Sequence, residues 1–306
     1  MVQPPSTQAD AAHRSGFVSI VGRPNVGKST LLNAFVGTKV AITSKRAQTT
    51  RNAIRGVLTG EGYQIVFVDT PGLHKPRTTL GERLNEIVHR TLRDVDAIVA
   101  VFDATQEIGD GDKRVAAEVF ATKTPALCAV NKMDVVRHEL LAPALTDAEK
   151  LGPWREIVPV SSRRGTNVSL LQELLVGLLP AGPQYNPEGM VSDQPREVLL
   201  AEVIREKALE LTRQEIPHSI AVVLEETHER DDGLIEIDAT VFVERDSQKG
   251  IVIGKGGAML KQIGTRARRD LEVLLGAKVF LRLNVKVAKE WQRDPRLIER
   301  MGYGTR

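Results

Sequence analysis

The sequence predicts an α/β protein of two domains: a mixed, mostly parallel sheet with helices on both faces, followed by a smaller α+β domain. Three observations support this prediction. Short apolar runs alternate with amphipathic segments up to Leu179, which is typical of strand–helix units around a parallel sheet. A stretch with four prolines, 180–195, then interrupts the pattern. Beyond it, the predicted order changes to helix, strand, strand, helix, helix, strand.

Length and composition limit the possible classes. The chain has 306 residues, of which 42% are hydrophobic and 26% charged, which excludes wholesale disorder and a coiled coil. Its single cysteine excludes an internal disulfide and a cysteine-built metal site. No apolar run reaches the roughly 18 residues of a spanning helix, and the polar start lacks a signal-peptide core. We predict a flexible tail (1–15), a first domain (16–180), a linker (181–195) and a second domain (196–306).

Local patterns predict the elements of the first domain in order. A strand at 17–21 leads through a glycine-containing turn into a helix that carries Leu31, Leu32 and Phe35. A hairpin formed by 53–58 and 64–68 turns at Gly60-Glu61-Gly62 and adds one antiparallel edge strand. Further strands are predicted at 97–102, 126–130 and 157–160, and helices at 80–92, 111–121, 139–150 and 168–179.

The second domain has its own pattern and its own charge. Helices are predicted at 196–211, around 250–252, at 258–275 and at 290–299, and strands at 219–226, 234–244 and 278–286. From Arg245 to the end, 15 Lys and Arg oppose six Asp and Glu, whereas the rest of the chain is slightly acidic. Such a basic segment indicates a polyanionic partner, with a solvated basic surface as the alternative.

Residues 22–29 match the phosphate-binding pattern G-x-x-x-x-G-K-S/T at every fixed position, between a predicted strand and a predicted helix. The glycines let backbone N–H groups converge on phosphate oxygens, and the helix N-terminus faces the same anion. We expect Lys28 to reach the β- and γ-phosphates and the Ser29 hydroxyl to ligate Mg²⁺. The predicted nucleotide contacts of this loop are Gly22, Arg23, Pro24, Asn25, Val26, Gly27, Lys28 and Ser29.

Two later segments complete a guanine nucleotide site. Asp69 closes an apolar strand, where it can hold Mg²⁺, and the N–H of Gly72 can bind a γ-phosphate. Asp134, after the strand 126–130, can accept from N1–H and N2–H₂ of guanine, donors that adenine lacks. The further predicted nucleotide contacts in these segments and in the serine pair after the next strand are Thr70, Pro71, Leu73, Asn131, Lys132, Met133, Ser161 and Ser162.

Together these segments resemble the signature of translation-factor-like and Ras-like GTPases. Thr49 and Thr50 lie where such proteins place switch I, and a resemblance to bacterial assembly GTPases favours Thr50 as a Mg²⁺ ligand. That both are ordinary threonines preceding a strand remains the alternative. The predicted catalytic residues are Lys28, Thr50 and Gly72, and the predicted Mg²⁺ ligands are Ser29, Thr50 and Asp69.

Two positions bear on turnover. Leu73 stands where Ras-like proteins place a water-orienting glutamine, and a leucine cannot orient water, so this resemblance implies slow hydrolysis by the protein alone. Asn25 resembles an asparagine that helps related assembly GTPases bind K⁺, which can supply positive charge at the phosphates. His74 is expected to be an exposed switch II residue rather than a general base.

The segment Gly254-Lys255-Gly256-Gly257 contains G-x-x-G between two predicted helices, and basic residues flank it. With the α-β-β-α-α-β order, it resembles a KH domain of the bacterial type (type II), which clamps nucleic-acid backbone with this loop. A structural glycine turn is the alternative. The predicted RNA contacts are Lys249, Ile251, Val252, Ile253, Gly254, Lys255, Gly256, Gly257, Lys261 and Arg268. Trp291 is expected to be a packing residue and Cys128 to be buried.

One such GTPase domain joined to one KH domain resembles the Era family. This resemblance implies a monomeric assembly factor of the small ribosomal subunit that uses GTP, GDP and Mg²⁺ and binds 16S rRNA near its 3′ end. It further implies a cytoplasmic protein that lies partly at the inner face of the membrane. Two alternatives remain open: a binding module that rarely hydrolyses GTP, and a membrane-associated GTPase whose basic C-terminal domain binds anionic lipid or nonspecific RNA.

Overall fold

The computed structural model describes residues 13–43, 50–73, 76, 78–212 and 219–303, which form two sheets with separate cores. The elements of the first domain are β1 (Arg14–Val21), α1 (Lys28–Val36), β2 (Ile54–Gly60), β3 (Tyr63–Asp69), α2 (Thr79–Arg93), β4 (Ala97–Asp103), α3 (Asp110–Ala121), β5 (Ala126–Asn131), α4 (His138–Glu149), β6 (Ile157–Pro159) and α5 (Val168–Leu178). Those of the second are α6 (Arg196–Leu211), β7 (Ala221–Glu229), β8 (Ile235–Val243), α7 (Asp246–Ile253), α8 (Ala258–Leu275), β9 (Val279–Val287) and α9 (Pro295–Arg300).

The first sheet has the order β2-β3-β1-β4-β5-β6 and confirms the predicted fold class. Its neighbouring strands are parallel except β2 and β3, which form the predicted hairpin. Helices α1 and α5 pack on one face, and α2, α3 and α4 pack on the other. Because parallel strands end at the same edge, this order brings together the loops that follow β1, β3, β5 and β6. Those loops carry the nucleotide motifs.

The second sheet has the order β7-β8-β9, in which β8 is antiparallel to β7 and parallel to β9. Residues of α6, α7 and α8 pack with this sheet into one core. This arrangement confirms the predicted α-β-β-α-α-β domain. Among the described residues, no helix is long and apolar enough to cross a bilayer.

The first strand begins earlier than predicted, so the tail predicted over 1–15 is too long. Arg14 and Ser15 pair with Tyr63 and Gln64 of β3, and Ser15 is fully buried. The Arg14 guanidinium also donates to the carbonyl of Leu179 at 2.7 Å. The polar composition of this segment suggested a tail, but its polar groups have hydrogen-bond partners inside the fold. The part of the tail up to residue 12 lies outside the described residues.

The predicted linker is packed against the first domain. The fully buried side chain of Gln64 accepts from the N–H groups of Tyr185 and Asn186 at 2.9 and 2.8 Å. Farther along, the N–H of Val57 in β2 donates to the carbonyl of Val191 at 2.9 Å. Arg55 of β2 also accepts from the Ser192 hydroxyl at 2.7 Å and pairs with Asp193 at 2.9 Å, so the segment is joined to the edge of the first sheet through residue 193. We therefore expect any rotation between the domains to occur beyond that residue.

The last helix is shorter than predicted: α9 begins at Pro295 rather than at residue 290. A proline lacks the N–H that a helix interior requires, but it is tolerated in the first turn. The Asp294 side chain caps this helix by accepting from the N–H of Arg296 at 2.8 Å. The packing role of Trp291 is confirmed, since its side chain is fully buried and its indole donates to the Ser219 carbonyl at 2.8 Å.

The two domains touch through an apolar cluster and a charged one. Side chains of α2 pack against the second domain in a cluster that includes Leu80, Leu84, Phe242, Trp291, Ile298 and Tyr303. On the other side, the buried Glu206 carboxylate of α6 accepts from the N–H of Thr43 at 2.7 Å and pairs with Lys39 at 2.5 Å. The second domain thus contacts α2 and the segment that precedes residue 44 of the first domain.

Candidate functional site: a guanine nucleotide site and a glycine loop

The phosphate-binding loop between β1 and α1 is enclosed by two other motifs. A Cβ on Gly27 would lie 2.2 Å from Nδ2 of Asn131, and Gly27 has a φ of 103°, which disfavours other residues. A Cβ on Gly72 would lie 2.7 Å from the backbone nitrogen of Pro24. Glycine is needed at both positions because a neighbouring motif occupies the space of a side chain. The loop therefore depends on the fold as well as on its own sequence.

Lys28 lies buried at this loop. Its Nζ donates to the carbonyl oxygens of Gly22 at 3.1 Å and Arg23 at 2.9 Å. Burial lowers the pKa of Lys28 to about 8, and the negative charge of Asp69 opposes this shift. A phosphate bound beside this amine would favour its charged form.

Three oxygen-bearing side chains meet next to Lys28. The Ser29 hydroxyl donates to Oδ2 of Asp69 at 2.6 Å, and Thr50 Oγ1 lies 3.0 Å from Ser29 Oγ and donates to the same carboxylate oxygen at 3.2 Å. Hydroxyl and carboxylate oxygens are the ligands that Mg²⁺ prefers, so this set fits the predicted ion. Of the two candidate threonines, Thr50 lies at this point, whereas Thr49 is outside the described residues. Burial raises the pKa of Asp69 to about 6, although Lys28 and the two hydroxyls oppose the shift.

These two pKa shifts predict that nucleotide affinity is highest between about pH 6 and pH 8. Below this range Asp69 takes up a proton and loses the charge that Mg²⁺ requires. Above it Lys28 loses the charge that attracts phosphate. Titration with a fluorescent GDP in Mg²⁺ buffers across this range measures the profile. In the Asp69→Asn variant, the part of the affinity loss at acidic pH that Asp69 causes should disappear, and the part caused by protonation of the phosphate should remain. Identical affinity profiles at acidic pH for the native protein and the variant would contradict the prediction.

The base-reading segment is tied to the phosphate loop. The Asn131 amide donates to the carbonyl of Val26 at 2.8 Å, and its oxygen accepts from the N–H and hydroxyl of Ser162 at 3.0 and 2.9 Å. Asp134 is nearly buried, and its carboxylate accepts from the Ser161 hydroxyl at 2.7 Å. Asn131 thus connects the phosphate-binding loop to the loop that carries Ser162. The Asp134 carboxylate is held in place and can still accept hydrogen bonds from a base.

Sequence reasoning missed Asp103, the last residue of β4. Its buried carboxylate accepts from Lys132 Nζ at 2.6 Å and from the N–H of Thr105 at 3.0 Å. Lys132 also donates to the carbonyl of Asn25 at 2.8 Å, so Asp103 orients a lysine that spans two motifs. The sequence contains a feature that could have identified it: a carboxylate at the end of an apolar strand, the feature by which Asp69 was predicted.

Other predicted residues take supporting positions. Leu73 packs into the core with residues of α2, and its N–H donates to the Gly22 carbonyl at 3.3 Å. Its side chain is therefore buried as well as unable to orient water. The Thr70 hydroxyl donates to the Ile20 carbonyl at 3.0 Å, which joins its loop to β1. The prediction for His74 falls outside the described residues.

The glycine loop of the second domain connects α7 to α8 through one 3₁₀ turn at Lys255–Gly257. Gly254, Gly256 and Gly257 have φ values of 74°, 59° and 80°, a left-handed conformation that favours glycine. A Cβ on Gly254 would also lie 2.8 Å from the Met259 nitrogen. The loop therefore needs its glycines to form its shape, and it presents an exposed Lys255 at the start of α8.

The surface around this loop differs from the prediction at one apolar position. Ile251, Lys255 and Lys261 are exposed, whereas Val252 is fully buried in the domain core and supports the surface from beneath. Arg268 lies farther along α8 and pairs with Glu272 at 3.9 Å. Lys249 and Ile253 are partly exposed. The sequence predicted Val252 as a contact because apolar runs do not reveal which residue faces inward.

Comparisons with known proteins match both domains. A family model described as a 50S ribosome-binding GTPase matches residues 17–132, and one described as a KH domain matches residues 215–292. The chain is 52% identical to the GTPase Era of Nocardioides sp., across 95% of this chain and 97% of that protein. It is 53% identical to the GTPase Era of Mycolicibacterium paratuberculosis, across 95% and 99%.

Two solved structures cover almost the whole chain. An Era variant from Aquifex aeolicus bound to GDP and AlF₄⁻ aligns with a TM-score of 0.91 and 39% identity, across 95% of this chain and 100% of that one. An Era structure in complex with MgGDPNP and nucleotides 1506–1542 of 16S ribosomal RNA aligns with the same score and identity, across 95% and 99%. Both similarities therefore extend over the two domains together.

Proposed function

This chain belongs to the Era family of GTPases, and we propose that it couples its nucleotide state to recognition of 16S rRNA during assembly of the small ribosomal subunit. It binds GTP and GDP with Mg²⁺ and hydrolyses GTP to GDP and phosphate. The observation that carries the proposal is the contact between a guanine nucleotide domain and an RNA-binding domain in one chain.

We propose a role for each residue of the nucleotide site, supported by the contacts between them. Lys28 and the loop amides hold the β- and γ-phosphates, while Ser29, Thr50 and Asp69 supply oxygens for Mg²⁺. When bound, the ion neutralises charge that develops on the phosphates. Asp134 accepts from two donors of guanine, and the N–H of Gly72 contacts the γ-phosphate.

The proposed RNA target is a single strand near the 3′ end of 16S rRNA. Support comes from the similar Era structure that holds nucleotides 1506–1542 of that RNA. In this chain, Lys255 and Lys261 supply charge around the glycine loop, and Ile251 offers an exposed apolar contact. No aromatic residue interrupts 250–269, so we expect recognition through backbone contacts, shape and base edges rather than stacking platforms.

Equilibrium RNA affinity tests the proposed coupling. It is measured with a GTP analogue, with GDP and without nucleotide, at one stated salt concentration, with a scrambled strand as the control. We expect tight binding of the 3′-end strand that depends on the nucleotide, and RNA must then alter nucleotide affinity by the same factor. Equal RNA affinity in all three states would contradict the coupling. Equal affinity for the scrambled strand would contradict the proposed target.

We also propose slow intrinsic turnover assisted by K⁺ at Asn25. The buried Leu73 supports the first part because it leaves its position without a water-orienting group. Asn25 lies in the phosphate-binding loop with a φ of 66°. An ion bound there would add positive charge beside the phosphates. Turnover in matched K⁺ and Na⁺ salts, with and without RNA, tests this proposal. Equal rates in the two salts would contradict it.

A membrane role receives less support from the fold. The apolar side chains Ile298 and Met301 of the last helical segment pack against Leu80 and Leu84 of the first domain. Lipid contact by this segment would therefore rest on the charge of Arg293, Arg296 and Arg300. We propose that the protein acts as a monomer in the cytoplasm, and co-sedimentation with anionic vesicles tests the membrane alternative.

A further inference from the structure

Arg51 follows Thr50 in the chain, yet its side chain enters the second domain. Only 1% of this residue is exposed. Its guanidinium donates to the Ile220 carbonyl at 2.6 Å, immediately before β7. Adjacent residues of one segment thus contact the proposed Mg²⁺ site and the other domain.

Two aromatic rings from the end of the chain complete the surroundings of this guanidinium. Its central carbon lies 5.2 Å from the centroid of the Trp291 ring and 5.1 Å from that of Tyr303, which is within the range of a cation–π contact. Tyr303 is buried and lies beyond the residues that match the KH family model. The terminal segment that follows β9 therefore builds much of this arginine's pocket.

This burial opposes the charge of the guanidinium. Burial, and then the nearby positive charge of Arg205, lower the pKa of Arg51. A buried charged group is costly unless hydrogen bonds and charge partners compensate for the lost water. The contacts of Arg51 with Ile220, Trp291 and Tyr303 reach the second domain. Thr50, by contrast, is held by Ser29 and Asp69 of the first.

We propose that Arg51 is a positioning residue that holds Thr50 at the Mg²⁺ site by anchoring its backbone to the terminal segment of the second domain. Affinity for GTP then depends on how that segment, including Tyr303, is docked. The inference rests on the proposed function because it assumes that Thr50 ligates the ion when a γ-phosphate is present. GDP has no γ-phosphate, so its affinity should depend far less on Arg51.

The test compares affinities for a GTP analogue and for GDP in full-length variants. Arg51→Ala should lower the affinity for the GTP analogue by about tenfold and change that for GDP by less than about twofold. Tyr303→Ala should shift the same ratio in the same direction by about threefold, although it lies in the other domain. This second variant keeps the test available if Arg51→Ala does not fold.

Arg282→Ala is the matched control. Arg282 lies 5.6 Å from the centroid of the Phe280 ring in the same domain, but its side chain is exposed and pairs with Asp238 of the sheet. Its removal should leave the ratio of the two affinities unchanged. Equal losses for both nucleotides in the Arg51 and Tyr303 variants would show a merely structural role and overturn the inference. Unchanged affinities would overturn it as well, whereas failure of the native protein to bind either nucleotide would overturn the proposed function.

Discussion

Asp134→Asn is expected to lower the affinities for GTP and GDP by at least about 100-fold, because it removes an acceptor of two charge-assisted hydrogen bonds. Asp134 is nearly buried and held by the Ser161 hydroxyl, so water cannot replace it freely. An amide group there would also place an N–H opposite the amino group of guanine. Displacement titration of a fluorescent GDP measures the loss.

The same variant should bind xanthosine diphosphate better than the native protein does. Xanthine carries a carbonyl where guanine carries its amino group, and that carbonyl accepts from an amide N–H. Asp193→Asn is the matched control, because Asp193 lies in the linker and pairs with Arg55 of β2 at 2.9 Å rather than with the base-reading segment. A loss of GDP affinity below tenfold, or no gain for xanthosine diphosphate, would contradict the assigned role of Asp134.

Gly257→Asp is expected to lower RNA affinity by about 30-fold while nucleotide affinity stays unchanged. A carboxylate at this loop would repel the phosphates that the loop is proposed to clamp. Gly257 suits the test because nothing lies within 4 Å of a Cβ built there, even though its φ is 80°. Gly254 is a poorer choice, since its Cβ would collide with Met259 and distort the loop.

Gly257→Asn is the control for this charge effect. Asn and Asp have similar volumes, and both tolerate a left-handed conformation better than most residues. The difference between the two variants in RNA binding, measured at several salt concentrations, therefore isolates the added charge. Equal RNA affinities of the two variants would mean that the loop does not approach phosphates, and the proposed RNA site would have to be moved.

Much of the nucleotide site could be predicted because its residues lie within short segments of fixed spacing. Gly27, Lys28 and Ser29 act through backbone shape and helix position, which neighbouring residues largely determine. In the fold Thr50 meets Ser29 and Asp69, whereas Thr49, the other candidate, lies outside the described residues. The start of α9 could also have been predicted from the sequence, because a proline at position 295 argues against a helix that continues through it from residue 290.

Other features required the fold because they join segments far apart in the chain. Gln64 looked like an ordinary strand residue, yet it binds the backbone of the linker. Val252 looked like part of an RNA groove, yet it faces the core. In both cases a periodic pattern identifies the element but leaves open which neighbour each face meets.

The sequence by itself determined the fold class, the guanine nucleotide motifs and the glycine loop, because each follows from local spacing and backbone conformation. Only the tertiary structure decided that Asp103 orients Lys132 and that Arg51 enters the second domain. The physical reason is that a buried charge is stabilised by whatever partners the packing of distant elements provides, and no local pattern specifies those partners.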